Sequence, residues 1–287
     1  MSEKMINTRN IKNYIEALDH MKNFFTKLLE EERAKTTEPS DDRMKLTELT
    51  DLRALARSDK WPEAVPNNLI SANENQRSMS ILNTIDSPLK GKKFLDFGCG
   101  EGQTVKLAKD IFEAEAYGYD IKNYNWNNDC ITSDIEKISN NAPYDVIMLF
   151  DVLDHSDQPE EILKKCKSIL NEEGKIYVHF HPWFSRSGTH IYRQLNKAYL
   201  HLVFNDEELG TLGVIQEKVQ RIKDVQDYTT WIKNAGLSVI SENTVTQDID
   251  FFFTQKPPIL RRIRKNFEDH VFPIHLLEIQ FIDMILV

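Results

Sequence analysis

The sequence predicts an α/β fold, a largely parallel sheet covered by helices and preceded by a helical N-terminal extension. Three observations lead there. From Lys92 onward, short runs of apolar, β-branched and aromatic residues alternate with segments of helical periodicity, the pattern of strand–helix–strand units. Three of the ten glycines, Gly98, Gly100 and Gly102, fall within five residues where a strand gives way to a helix. The first 90 residues contain no glycine at all.

The elements follow in order. Residues 1–37 carry Ile11, Tyr14, Ile15, Leu18, Met21, Phe25, Leu28 and Leu29 at helical spacing, which predicts a long amphipathic helix. Such a stripe packs on its own domain or joins a second copy as a homodimer arm. The polar stretch 36–46, with Pro39, reads as a linker. Pro62 and Pro66 interrupt the chain after Trp61, and helical periodicity resumes over Asn73–Ile85. Residues 1–70 thus form a helical extension or cap and 71–287 the main domain. Strands are predicted at Lys93–Phe97, Ala116–Asp120, Asp129–Thr132, Tyr144–Phe150 and Lys175–Phe180, and helices at Gln103–Phe112 and Pro159–Leu170, the second ended by Asn171 and Gly174. Tyr228–Ala235 is a helix stopped by Gly236. Leu237–Val245, Asp250–Phe253 and Leu276–Val287 are strand-like, with residues 257–275 as an insertion before the last strand.

Composition narrows the function. A chain of 287 residues with 40% hydrophobic and 28% charged residues can bury a core. Its net charge of −9 speaks against a general affinity for nucleic acid. Cys99, Cys130 and Cys166 are an odd number without zinc-type pairing, so a reducing compartment is expected rather than a disulfide framework. With no apolar leader and no apolar run long enough to span a bilayer, a cytoplasmic protein without membrane association is expected.

The run Asp96-Phe97-Gly98-Cys99-Gly100-Glu101-Gly102 turns a strand into a helix, where glycines let backbone N–H groups approach a ligand. Its G-x-G-x-G spacing differs from the G-x-G-x-x-G of dinucleotide binders, and Asp96 stands directly before it. A carboxylate there would repel a pyrophosphate but pair with an ammonium group, which favours a ligand with an amino-acid end, such as S-adenosylmethionine. The second strand ends at Asp120, followed by Ile121, where an acidic side chain can accept from both hydroxyls of a ribose. After the third strand, Ser133-Asp134-Ile135 can meet an adenine, Asp134 by its carboxylate and Ile135 by covering the ring. Asp134 serves equally well as a helix cap.

Together with Tyr144-Asp145-Val146-Ile147-Met148-Leu149-Phe150-Asp151-Val152-Leu153-Asp154-His155, these motifs resemble the class I S-adenosylmethionine-dependent methyltransferases over residues 90–180. The last stretch is similar to the fourth strand and turn of the ubiquinone-pathway O-methyltransferase branch, with Asp154-His155 where that branch has Glu-His. The resemblance implies a seven-stranded, Rossmann-like sheet closed by an antiparallel hairpin. It also implies S-adenosylmethionine as cofactor, held by Asp96, Phe97, Gly98, Cys99, Gly100, Gly102, Asp120, Ile121, Ser133, Asp134, Ile135, Phe150 and Asp151.

In open parallel sheets, ligands sit beyond the carboxyl ends of the strands. The fourth strand brings His155 there. The fifth brings His181-Pro182-Trp183-Phe184-Ser185-Arg186, an unusual density of His, Trp and Arg for a connection. Methyl transfer to a hydroxyl needs a base, and His155 or His181 fits that role because imidazole titrates near cellular pH. Arg186 can orient an acidic group on the acceptor or lie in an ion pair. These residues read as the pocket of a small-molecule or glycan-type acceptor. His179, His181 and His190 lack a carboxylate in their own segment, so no metal site is assigned. Arg261–Lys265 reads as a solvated charge run. The competing readings are a nucleic-acid methyltransferase, against which stands the lack of an Asn-Pro-Pro-Tyr-type tetrapeptide after the fourth strand, and a catalytically silent cofactor-binding partner subunit.

Overall fold

The computed structural model describes residues 42–66, 73–216, 219, 225–266 and 274–287. The predicted helix over 1–37, with its homodimer reading, and Pro39 lie outside the described residues. The chain divides into two compact units, 1–54 and 55–287. Helix α1, Asp42–Ala56, begins inside the stretch read as a linker. The correction has a simple cause: from Asp42 to Ala56 the chain contains neither Gly nor Pro and is filled with Leu, Ala, Arg, Lys and Glu, strong helix formers.

Helix α2, Glu74–Leu82, starts at Asn73 with a capping box, its side chain accepting from the Gln76 N–H while Gln76 reaches back, which satisfies two of the helix's orphan donors. Strand β1 (Lys93–Phe97), helix α3 (Gln103–Asp110), strand β2 (Glu115–Tyr119), the short strand β3 (Ile131–Thr132), helix α4 (Ile135–Asn140), strand β4 (Tyr144–Phe150), helix α5 (Pro159–Ile169) and strand β5 (Leu170–Phe180) follow. β3 is shorter than expected because the Asn128 side chain and carbonyl take the N–H groups of Cys130 and Ile131, turning the chain before it can pair. β5 begins five residues early and bulges, with Tyr144 opposite Leu170 but Val146 opposite Lys175.

After β5 come helix α6 (Leu200–Val203), helix α7 (Asp206–Thr211), helix α8 (Gln226–Asn234), strand β6 (Val239–Thr246), helix α9 (Phe251–Thr254), helix α10 (Pro257–Lys265) and strand β7 (Ile279–Leu286). The seven strands are ordered β3-β2-β1-β4-β5-β7-β6. β7 is antiparallel to both β5 and β6, and the remaining pairs are parallel. Buried strands read as continuous apolar runs, and Phe94, Leu95, Ile147, Leu149 and Ile176 are wholly inaccessible.

The strand-like stretch Asp250–Phe253 is a correction, since it holds α9. Aromatics favour strands only where a sheet surface receives them. Here Phe252 and Phe253 instead pack on the Trp61 ring, with centroids 5.4 and 5.8 Å away. Trp61 also anchors its own segment: its Nε1 donates to the Ala198 carbonyl at 2.8 Å. The Asn196 side chain accepts from the Ala64 and Val65 N–H groups and donates to the Val65 carbonyl. Residues 61–65 are thereby fastened to the connection that follows β5.

Candidate functional site

Strand order reverses between β1's two neighbours, β2 and β4, so the carboxyl ends of these strands open a crevice. The loop after β1 lines one side. The Gly98 and Cys99 N–H groups donate to the Tyr119 carbonyl at 2.7 and 3.0 Å, and the Gly100 N–H donates to Asp120 Oδ2 at 2.8 Å. Gly98 and Gly102 take φ of 93° and 86°, and a Cβ would stand 2.4 Å from Val152 at the first and 2.2 Å from Ile131 at the second. Only glycine meets both conditions. At Gly100 a Cβ would find nothing within 4 Å, so the middle of the loop faces open space.

Asp96 lies beneath this loop, 5% exposed. Burial raises its carboxyl from 3.8 to about 7, with Asp120 adding to the rise and Arg77 opposing it. The folded chain therefore holds this proton more tightly than the unfolded one. Stability it contributes is fully present below pH 3.8 and is lost as pH rises through about 7. At 1.36 kcal/mol per pH unit, the loss is on the order of 4 kcal/mol. Thermal unfolding of the ligand-free chain should show a midpoint that falls as pH rises from about 4 to about 7, and Asp96→Asn should flatten that fall. An equal slope in both proteins would show that Asp96 does not hold the proton.

The second side of the crevice belongs to the connection between β2 and β3. Asp120 Oδ1 accepts from the Lys122 N–H at 2.9 Å, so both carboxylate oxygens shape the loop. Ile121 is 87% exposed, an apolar side chain left without cover. Trp126 Nε1 donates to the Gly100 carbonyl at 2.8 Å, and with Thr132, Ser133 and Asp134 it lines an open depression of about 520 Å³. Asp134 is the N-cap of α4, accepting from the Glu136 N–H at 3.0 Å, while Ile135 is half-buried beside it. Sequence reasoning passed over Trp126, although an indole among four asparagines, Asn123, Asn125, Asn127 and Asn128, was a visible signal.

The third side gathers histidines. His181 Nδ1 lies 2.8 Å from Asp151 Oδ1, and His179 Nδ1 lies 2.6 Å from Asp283 Oδ1 on β7. Phe150 stacks on the His179 ring at 4.0 Å, and Arg77 of α2 stands 3.6 Å from Asp151. Phe150 and Asp151, expected against the cofactor, therefore meet His179 and His181. Asp151 holds φ of 54°, its N–H donating to the His179 carbonyl at 2.9 Å. Burial would raise its carboxyl, but the charge and hydrogen bond of His181 outweigh that and hold it below the usual carboxylate range. For His181 burial pulls downward, and the Asp151 charge and hydrogen bond overcome it, so the imidazole titrates above 6.5.

A second group adjoins the first. Asp154 is 1% exposed, and burial, with help from Asp151, raises its carboxyl to about 7. His155 and His190 place Nε2 3.8 and 3.7 Å from its Oδ2. Sequence reasoning found no carboxylate near the histidines of the β5 connection because Asp151, Asp154 and Asp283 arrive from other strands. Arg186 is drawn away from the crevice: Nε donates to the Glu63 carbonyl at 2.8 Å, and NH1 pairs with Asp250. Its guanidinium fixes the connection internally. In the charge run, Arg262 forks onto Glu208 at 2.8 to 3.2 Å, so one of its cations is committed to the fold.

The central part of the chain is similar to known proteins. A family model described as a methyltransferase domain matches residues 71–242. A ubiquinone biosynthesis O-methyltransferase of Coxiella burnetii (strain RSA 331 / Henzerling II) is 25% identical over 168 residues, covering 53% of this chain and 66% of the relative. That of Glaesserella parasuis serovar 5 is 26% identical, covering 36% and 51%. The chain thus spans somewhat less than two-thirds of the length of these curated relatives. Among solved structures, a SAM-dependent methyltransferase from Archaeoglobus fulgidus aligns at 18% identity and a TM-score of 0.46, over 76% of this chain and 96% of that one. The match over most of the sheet and its glycine loop means that this chain belongs to the methyltransferase-domain family.

Proposed function

We propose that this chain methylates an oxygen of a small-molecule or glycan-type acceptor, with His181 as the base. The observation that carries the reading is the His181–Asp151 pair at the carboxyl ends of β4 and β5, beside the glycine loop. The residues suit S-adenosylmethionine on three counts: a loop open at Gly100, a buried carboxyl at Asp96 able to face an ammonium, and an uncovered Ile121. Asp96, Gly98, Gly100 and Gly102 would hold its methionine end, and Asp120, Ile121, Ser133, Asp134 and Ile135 its nucleoside. When bound, its sulfonium supplies an already activated methyl group.

The chain's remaining task is alignment, exclusion of water and removal of one proton. Asp151 accepts from His181 Nδ1–H, which leaves the Nε2 lone pair free to take the acceptor's hydroxyl proton. His155 lies beside Asp154, and Arg186 acts by holding the connection in place. The net charge of −9 favours a small acceptor over nucleic acid. Cytoplasmic placement accords with the free cysteines, and no helix among the described residues is long and apolar enough to cross a membrane.

Isothermal titration with S-adenosylmethionine should give one site, weakened about tenfold or more in Asp120→Ala, given what hydrogen bonds to charged groups contribute. Labelled cofactor offered with sugars, phenols, nucleotides, DNA and RNA then identifies the acceptor. Transfer to nucleic acid alone would overturn the acceptor class. Cofactor binding with no transfer to any partner would favour the silent-subunit reading.

A further inference from the structure

We infer that Asp283 is a positioning residue for the base: it captures His179, the second imidazole within reach of Asp151, and so reserves that carboxylate for His181. The role rests on the reading of His181 as the base, whereas the capture can be tested without methyl transfer.

Asp283 is the one charged residue of β7. In the antiparallel register it stands directly opposite His179 of β5, the arrangement in which cross-strand side chains meet. His179 Nδ1 lies 2.6 Å from Asp283 Oδ1. A carboxylate only accepts, so Nδ1 carries the hydrogen. The other nitrogen of the same ring, Nε2, lies 4.0 Å from Asp151 Oδ1, beyond hydrogen-bond distance. That oxygen is the one His181 Nδ1 approaches to 2.8 Å. Two imidazoles therefore address one carboxylate oxygen, one in contact and the other held roughly 1 Å short of it.

What holds the second ring back is Asp283. Phe150 stacks on His179 at 4.0 Å with an interplanar angle of 7°, and Phe281 flanks it at 4.9 Å. Stacked rings resist tilting but slide in their own plane, because dispersion is weakly directional. The bond to Asp283 thus fixes His179 along the direction of Asp151. Without it, a hydrogen on Nε2 would find a charged acceptor in Asp151, and charge-assisted hydrogen bonds are the strong ones. The two side chains are 12% and 11% exposed, so water competes little for either. His181 would then share its carboxylate and lose the tautomer that leaves its Nε2 free. Arg77 of α2, Asp154 of the turn after β4 and His190 of the connection after β5 also face the Asp151–His181 pair, and the variants below leave all three in place.

The test is NMR of the full chain with isotope-labelled histidine, which tells the Nδ1–H from the Nε2–H tautomer, with the His181 signal assigned by His181→Gln. In wild type the neutral His181 should carry its hydrogen on Nδ1. Asp283→Ala should give a mixture of tautomers at His181 and move its titration to lower pH, since Asp151 is what raises it. Asp283→Asn keeps an oxygen that accepts from Nδ1 and should retain the wild-type tautomer. His179→Phe in the Asp283→Ala background removes the competitor, keeps a ring against Phe150, and should return His181 to the single tautomer, a restoration that a merely structural Asp283 would not show. In methyl transfer, Asp283→Ala should lower kcat about tenfold, less than loss of the base itself, with the KM of the cofactor unchanged, and the double variant should recover most of that loss. An unchanged His181 tautomer in Asp283→Ala, a mixture that persists in the double variant, or a mixture already present in Asp283→Asn would overturn the capture. A wild type without methyl transfer would fail the base reading alone, and the tautomers would still decide the capture.

Discussion

Gly188→Ala is expected to destabilise the chain by about 3 kcal/mol or more, a large effect for one methyl group. A Cβ at Gly188 would stand 2.4 Å from the carbonyl oxygens of both Pro182 and Trp183 and 2.7 Å from the Trp183 carbonyl carbon. These are backbone atoms and cannot rotate away. They are also held: the Ser185 N–H donates to the Pro182 carbonyl at 2.8 Å, and the Gly188 N–H to the Ser185 carbonyl at 3.2 Å. Every residue from Pro182 to His190 is buried, whereas connections normally run over the surface. Relief must therefore come from displacing the whole run, which carries His181 and His190 at its two ends. Chemical unfolding of Gly188→Ala against Gly210→Ala tests this, because a Cβ at Gly210 meets nothing within 4 Å and alanine favours its helix. Equal stability of the two variants would contradict the packing described for the run.

His181→Gln should lower the rate of methyl transfer to a hydroxyl acceptor by about 10²- to 10⁴-fold, the span general-base catalysis contributes, while affinity for the cofactor stays close to that of wild type. Because the base must be neutral, the wild-type rate should rise with pH through an inflection above 6.5, the direction in which Asp151 moves His181. Asp151→Asn removes the charge that opposes burial, so its inflection should move to lower pH as its rate falls. A purely structural Asp151 would lower the rate and leave the inflection in place. An undiminished rate in His181→Gln would remove the base from the proposal.

The sheet was legible because its buried strands are written as apolar runs, with the glycine loop between the first strand and its helix. The closing hairpin, Leu237 onward against the last strand, was legible for the same reason. What was hidden lies in long-range pairing. Asp151, Asp154 and Asp283 reach the histidines from β4, its turn and β7, separations no local spacing reveals. Arg186 shows the opposite case: its residue type suggested a ligand contact, but burial beside Asp250 and the Glu63 carbonyl turned it to structural use. Asp250–Phe253 reads as strand by composition, but its aromatics are received by Tyr199 and by Trp61, almost two hundred residues earlier, rather than by a sheet.

The fastening of residues 61–65 decides where this protein can be cut. The family match starts at residue 71, and an expression product begun there would carry every strand and the whole glycine loop. It would lack the Glu63 carbonyl that receives two nitrogens of Arg186, the backbone groups that saturate Asn196, and the Pro62 carbonyl that receives the Ala198 N–H. It would also open the cleft that Trp61, 1% exposed, fills between Phe204 and Phe253. The homologous segment is therefore shorter than the autonomous one, and the smallest piece that keeps its histidine-bearing wall begins before Trp61.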